Sequence, residues 1–84
     1  MSYKVLILRR VQKEMAALPA GDFERVREGI EALAQSPRPS GCQKLSGREG
    51  WRIRVGNYRV IYEIDDTQRS ITVLHAGHRR DVYR

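Results

Sequence analysis

The chain has a single cysteine, few acidic residues for its number of basic ones, and no long apolar run. With Cys42 alone, no internal disulfide can form and no cysteine-rich zinc site can be assembled, so the expected setting is a reducing cytoplasm. The apolar run that starts at Val5 ends at Arg9, too short for a secretory segment or a membrane span, and no membrane association is expected. At 84 residues the chain has room for one domain, residues 1–84, and none for a separate cofactor module, so no cofactor and no metal site is expected. A domain this short buries roughly 60 to 65% of its unfolded surface, and a partner that covers apolar surface would add to its stability. Ten acids face 16 lysines and arginines, giving a net charge of +6 and a pI near 10.1. That balance favours a polyanionic partner, nucleic acid being the commonest, with simple solubility as the alternative.

Tyr3 to Leu8 reads as a strand covered on both faces, inside a sheet. Val11, Met15 and Leu18 fall at i, i+4 and i+7, the apolar stripe of a helix from Arg10 to Leu18 that Pro19 closes. Asp22 is placed to cap a second helix carrying Phe23, Val26, Ile30 and Leu33, which Ser36-Pro37 ends. Gly29 costs that helix up to about 1 kcal/mol relative to alanine, which either close packing or drift would explain. Ser36 to Gly50 lacks periodicity and makes a long connection, a kind of loop that is often functional. Beyond it the period becomes two: WRIRV, a Gly56-Asn57 turn, YRVIYEI, a polar DDTQ turn and SITVLHA form a three-stranded antiparallel meander.

A two-residue turn fixes the register of its hairpin. Val55 then faces Tyr58, Arg54 faces Arg59, Ile53 faces Val60, Arg52 faces Ile61 and Trp51 faces Tyr62. Trp51, Ile53, Val55, Tyr58, Val60 and Tyr62 share a core face able to receive the helices, and Arg52, Arg54 and Arg59 share the other. Opposing Arg54 with Arg59 costs something like the 0.2 to 1 kcal/mol that an opposite-charge pair would gain, so stability alone would not select it. A soluble face mixes signs, whereas Glu63 is the one acid of these two strands. The expected role is phosphate binding. The tail adds His78, Arg79, Arg80, Tyr83 and Arg84, and an antiparallel last strand returns its end toward the Gly56 turn. Tyr83 is either a stacking or proton-carrying group, or an anchor for the C-terminus.

Taken in order, the strand and helical hairpin, QKLSGREGWRIRVGNYRVIYEI and VLHAGHRRDVYR resemble the RelE toxins of the RelE/ParE superfamily along the whole chain. The resemblance implies an α+β fold in which an N-terminal strand and a helical hairpin pack on a small, antiparallel-rich sheet. It implies a ribosome-dependent endoribonuclease that enters the ribosomal A site and promotes attack of a messenger 2′-hydroxyl on the neighbouring phosphate, leaving a cyclic phosphate and a free 5′-hydroxyl. A cognate antitoxin would hold it inactive, in a complex that can reach higher order. The family's catalytic positions fall on Arg52, Arg54, Arg59, Arg79 and Tyr83, with Arg59 and Arg79 holding the phosphate. Further RNA contacts fall on Lys44 and Arg48 of the loop and His78 and Arg80 of the tail. The best-known members carry lysines where this chain has Arg52 and Arg54, and an arginine is a poor general base because it stays protonated. His78 is the candidate proton acceptor by its ordinary pKa, with a phosphate contact or a surface role as alternatives. Two other readings stand beside this one: a ParE-like inhibitor of DNA gyrase, and an RNA-binding module without catalysis.

Overall fold

The computed structural model describes residues 2–47 and 49–78. Its elements are β1 (Lys4–Ile7), α1 (Arg9–Ala16), α2 (Ala20–Ala32), β2 (Gln43–Lys44), β3 (Trp51–Val55), β4 (Tyr58–Asp65) and β5 (Ser70–His78). The strands form one sheet in the order β1-β5-β4-β3-β2, with β1 parallel to β5 and every other pairing antiparallel. This is the α+β arrangement expected, with both helices on one side of the sheet, α1 against β5 and α2 against β3 and β4.

The apolar stripes explain the helices. Val11 and Met15 of α1 and Val26 and Ile30 of α2 are buried, joined by Leu33 just past the end of α2. They meet Ile53, Val60, Tyr62, Ile71, Val73 and Ala76 from the sheet. Each such aliphatic side chain contributes roughly 1.5 to 3 kcal/mol on burial, which is why a short sequence with one core can hold its shape. Gly29 is there for close packing: an added Cβ would lie 2.9 Å from Val55 Cγ2.

Three local readings are corrected. β1 is not interior but the end of the sheet, since its parallel pairing with β5 uses only one edge of the strand, and Leu6, on the face opposite Val5 and Ile7, is 43% exposed. Asp22 does not cap α2. The helix starts at Ala20 with Pro19 as its N-cap, which leaves the Asp22 carboxylate in the first turn and free to reach Tyr58. The Ser36 to Gly50 connection contains β2, whose hairpin to β3 is closed by Leu45 N donating to Gly50 O at 3.0 Å. The same connection is held down along its length. Tyr62 Oη donates to Pro37 O at 2.7 Å, and Arg38 donates to Asp66 at 2.9 Å while its guanidinium lies 5.1 Å over the Trp51 ring.

Within β5 the register slips by one residue opposite Ile61 and Tyr62, since Ile61 pairs with His75 and Tyr62 with Val73. Leu74 is the extra residue of this bulge. Its effect is to turn the alternation over, so that Ile71 and Val73 before it and Ala76 after it all reach the core.

Candidate nucleic-acid interface

The hairpin register is the one the two-residue turn dictates: Trp51 with Tyr62, Arg52 with Ile61, Ile53 with Val60, Arg54 with Arg59 and Val55 with Tyr58. Arg52, Arg54 and Arg59 therefore stand together on the face of the sheet that the helices do not cover. Their surroundings differ. Arg54 is exposed, Arg52 is half-buried and donates to Gln43 Oε1 across the β2–β3 ladder, and Arg59 is only 4% exposed. Ile61, two residues further along the same face, is 5% exposed, so this side of the sheet is not the open solvated surface that alternation alone describes.

A guanidinium is a cation at every working pH. Out of water, its field on a nearby anion is screened much less than that of an exposed cation. The neighbour of Arg59 on the β5 side is Gly77, and a Cβ built there would meet nothing within 4 Å. Arg59 thus lies between the exposed Arg54 and the bare backbone of Gly77, where a side chain would have space. Gly77 did not stand out in the sequence; only the β4–β5 pairing sets it beside Arg59.

The other expected contacts are distributed differently. Lys44 pairs with Trp51 and places its Nζ 5.7 Å from the centre of that ring, on the helix-bearing side of the sheet. His78 pairs with Tyr58, and the two rings meet edge to face at 6.0 Å, also on the helix-bearing side. As expected, β5 returns to the Gly56 turn, but His78 and the arginines stand on opposite faces there. Behind the turn, Tyr58 Oη donates to Asp22 Oδ2 at 2.7 Å. The bond to Asp22, and after it burial, raise the Tyr58 phenol above its ordinary pKa and keep it a neutral donor. This link ties the first turn of α2 to the end of the arginine hairpin, and neither residue was legible as a pair. Arg48, Arg79, Arg80 and Tyr83 lie outside the described residues.

Residues 5–83 match the family model described as the ParE toxin of type II toxin–antitoxin systems, parDE. The chain is 45% identical over an 88-residue alignment to the toxin RelG of Mycobacterium tuberculosis, covering 100% of this chain and 99% of the relative. It is 31% identical to RelE1 of Methanocaldococcus jannaschii, covering 100% and 98%. In three dimensions it superposes on a chain of the archaeal RelE–RelB complex of Pyrococcus horikoshii with a TM-score of 0.83, at 32% identity and over 94% of this chain and 97% of the other. With the fold from β1 to β5 and the sequence matches in agreement, this chain belongs to the RelE/ParE family and is a RelE-type toxin of a type II toxin–antitoxin system.

Proposed function

We propose that this toxin is an endoribonuclease that cleaves messenger RNA in the ribosomal A site and so arrests translation. The observation that carries the reading is the arginine triplet of the β3–β4 hairpin, with the nearly buried Arg59 between Arg54 and Gly77. In this reading the scissile phosphate sits over that centre, and the planar donors stabilise the charge that develops as the 2′-hydroxyl attacks. The 2′-oxygen forms a bond to phosphorus, the bond to the 5′-oxygen breaks, and the products are a cyclic phosphate and a 5′-hydroxyl. Arginines are poor proton acceptors, so the ribosome's part is to hold the messenger in line, where orientation can supply several kcal/mol of barrier lowering. The partner is an antitoxin, supported by the RelE–RelB complex of P. horikoshii.

Primer extension on a defined messenger, with and without ribosomes, tests this. The expected result is cleavage within A-site codons only when ribosomes are present. Equal cleavage of naked RNA would remove the ribosome from the account, and topoisomerase-linked DNA breaks without RNA cleavage would favour the gyrase-directed alternative. Binding without cleavage in either case would leave an RNA-binding module.

A further inference from the structure

Arg54 and Arg59 face each other at the turn end of the β3–β4 hairpin, where the sheet gives them little support. β2 pairs with β3 only at Trp51 and Arg52, so beyond Arg52 the outer edge of β3 has no strand beside it among the described residues. Val55 and Tyr58, which close the two-residue turn, exchange backbone hydrogen bonds across the strands. That makes Arg54 and Arg59 the next, non-hydrogen-bonded pair, the kind in which opposed side chains stand closest. Like charges placed so push the strands apart.

Helix α2 holds this end of the hairpin. Asp22 and Gly29 are two helical turns apart and so share one face of it. That face meets both members of the closing pair: Gly29 lies against Val55, and Asp22 Oδ2 accepts from Tyr58 Oη at 2.7 Å. The Asp22 carboxylate is half-buried, does not cap the helix and forms no ion pair among the described residues, so Tyr58 has its negative charge as a hydrogen-bond acceptor. Tyr58 precedes Arg59 in β4 and points to the opposite face. Its ring also meets that of His78, its partner in β5, edge to face at 6.0 Å. One hydrogen bond thus fixes the root of Arg59 and bears on the end of β5, from which the sequence runs on into Arg79.

We propose that Asp22 is a positioning residue for RNA cleavage: through Tyr58 it clamps the hairpin end to α2 and holds Arg54 and Arg59 in place for the scissile phosphate against their mutual repulsion. This rests on the endoribonuclease reading above. A hydrogen bond to a carboxylate is of the stronger kind, whereas a single like-charge contact across a sheet is weak, so one bond suffices. A bound phosphate cancels the repulsion by itself. The clamp acts before that, keeping the donors arranged so that none of them has to move as charge develops. Neither Asp22 nor the Tyr58 hydroxyl meets the RNA, since their bond lies on the helix-bearing side of the sheet.

Two measurements on the full-length toxin test this: single-turnover cleavage on programmed ribosomes, read as the rate at saturation and the half-saturating concentration, and amide hydrogen exchange of the free chain at Val55 and Tyr58. Asp22→Ala and Tyr58→Phe should each lower the saturated rate by about tenfold and leave the half-saturating concentration within about twofold of the parent. The double variant should be no slower than the slower single one, since both remove one bond. Asp22→Asn keeps an acceptor oxygen and should stay within about threefold of the parental rate. In Asp22→Ala the two amides should exchange faster than in the parent, and the excess should shrink as salt screens the arginines. Ile30→Val, which trims the buried core of the same helix, is the stability control and should cleave at the parental rate. An Asp22→Ala toxin that cleaves normally, a loss shared by Ile30→Val, a loss confined to the half-saturating concentration, or an exchange excess indifferent to salt would overturn the positioning role and leave the endoribonuclease reading standing. A parent toxin that leaves ribosome-bound messenger intact would overturn both.

Discussion

The β3–β4 hairpin and the β1 edge sit toward opposite ends of one sheet and are built on opposite terms. The hairpin gathers cations, covers one of them almost completely, and takes its pairing from neighbours close in sequence. β1 exposes apolar side chains, is flanked by cations, and owes its place to a strand more than sixty residues away. The contrast is one of construction: cations set side by side by a local turn in one region, and an apolar edge held in place by a distant strand in the other.

Substitutions in the arginine face should give the largest effects. Arg59→Lys keeps the charge but loses the planar fork, and ribosome-dependent cleavage under single-turnover conditions should fall by about 100-fold, the scale of losing one preorganised donor. Unchanged cleavage would make Arg59 a structural residue. Gly77→Val should lower cleavage by filling the space beside Arg59. It should not lower thermal stability, since valine suits a strand better than glycine and its Cβ meets nothing there. Loss of stability and activity in parallel would show instead that Gly77 serves the fold.

Smaller effects are expected where the hairpin meets α2. Gly29→Ala gains up to about 1 kcal/mol of helix propensity, but it drives a methyl against Val55, and overpacking of this kind costs roughly 1 to 3 kcal/mol. Urea denaturation should show net destabilisation, relieved when Val55→Ala is added; a stabilised Gly29→Ala would contradict the close-packing account.

The smallest effect is a pH dependence at the far corner. Hydrogen bonds first from Arg38 and then from Tyr3 hold the Asp66 carboxyl below the ordinary aspartate range. A carboxylate with a lowered folded pKa contributes stability that is complete above its unfolded value, near 4, and is lost as pH falls through the folded value. Thermal melts of Asp66→Asn should therefore lose part of the parent's decline on the acid side and match its shape near neutrality. Identical acid limbs would remove Asp66 from that decline.

The same contrast explains what could be read from the sequence. The arginine hairpin was legible down to its pairs because a Gly56-Asn57 turn fixes register locally, and the helices because Val11 with Met15 and Val26 with Ile30 repeat at helical spacing. The position of β1 was not, because an apolar run has the same appearance in the middle of a sheet and at its edge. Two-residue β2 has no alternation to detect, and the slip at Leu74 exists only against β4. Asp22 has the chemistry of a cap, but Pro19 begins the helix first and gives Asp22 to Tyr58. The burial of Arg59 and the space at Gly77 are tertiary facts, so the candidate site was legible in its cations and not in its centre.

The most direct test of the comparison is a pair of variants, one from each region, carried through the same assay of cleavage on programmed ribosomes. Arg59→Lys should lose cleavage, and Leu6→Asp should keep it. A Leu6→Asp toxin that loses cleavage as Arg59→Lys does, or an Arg59→Lys toxin that cleaves normally, would contradict the assignment of phosphate chemistry to the arginine hairpin.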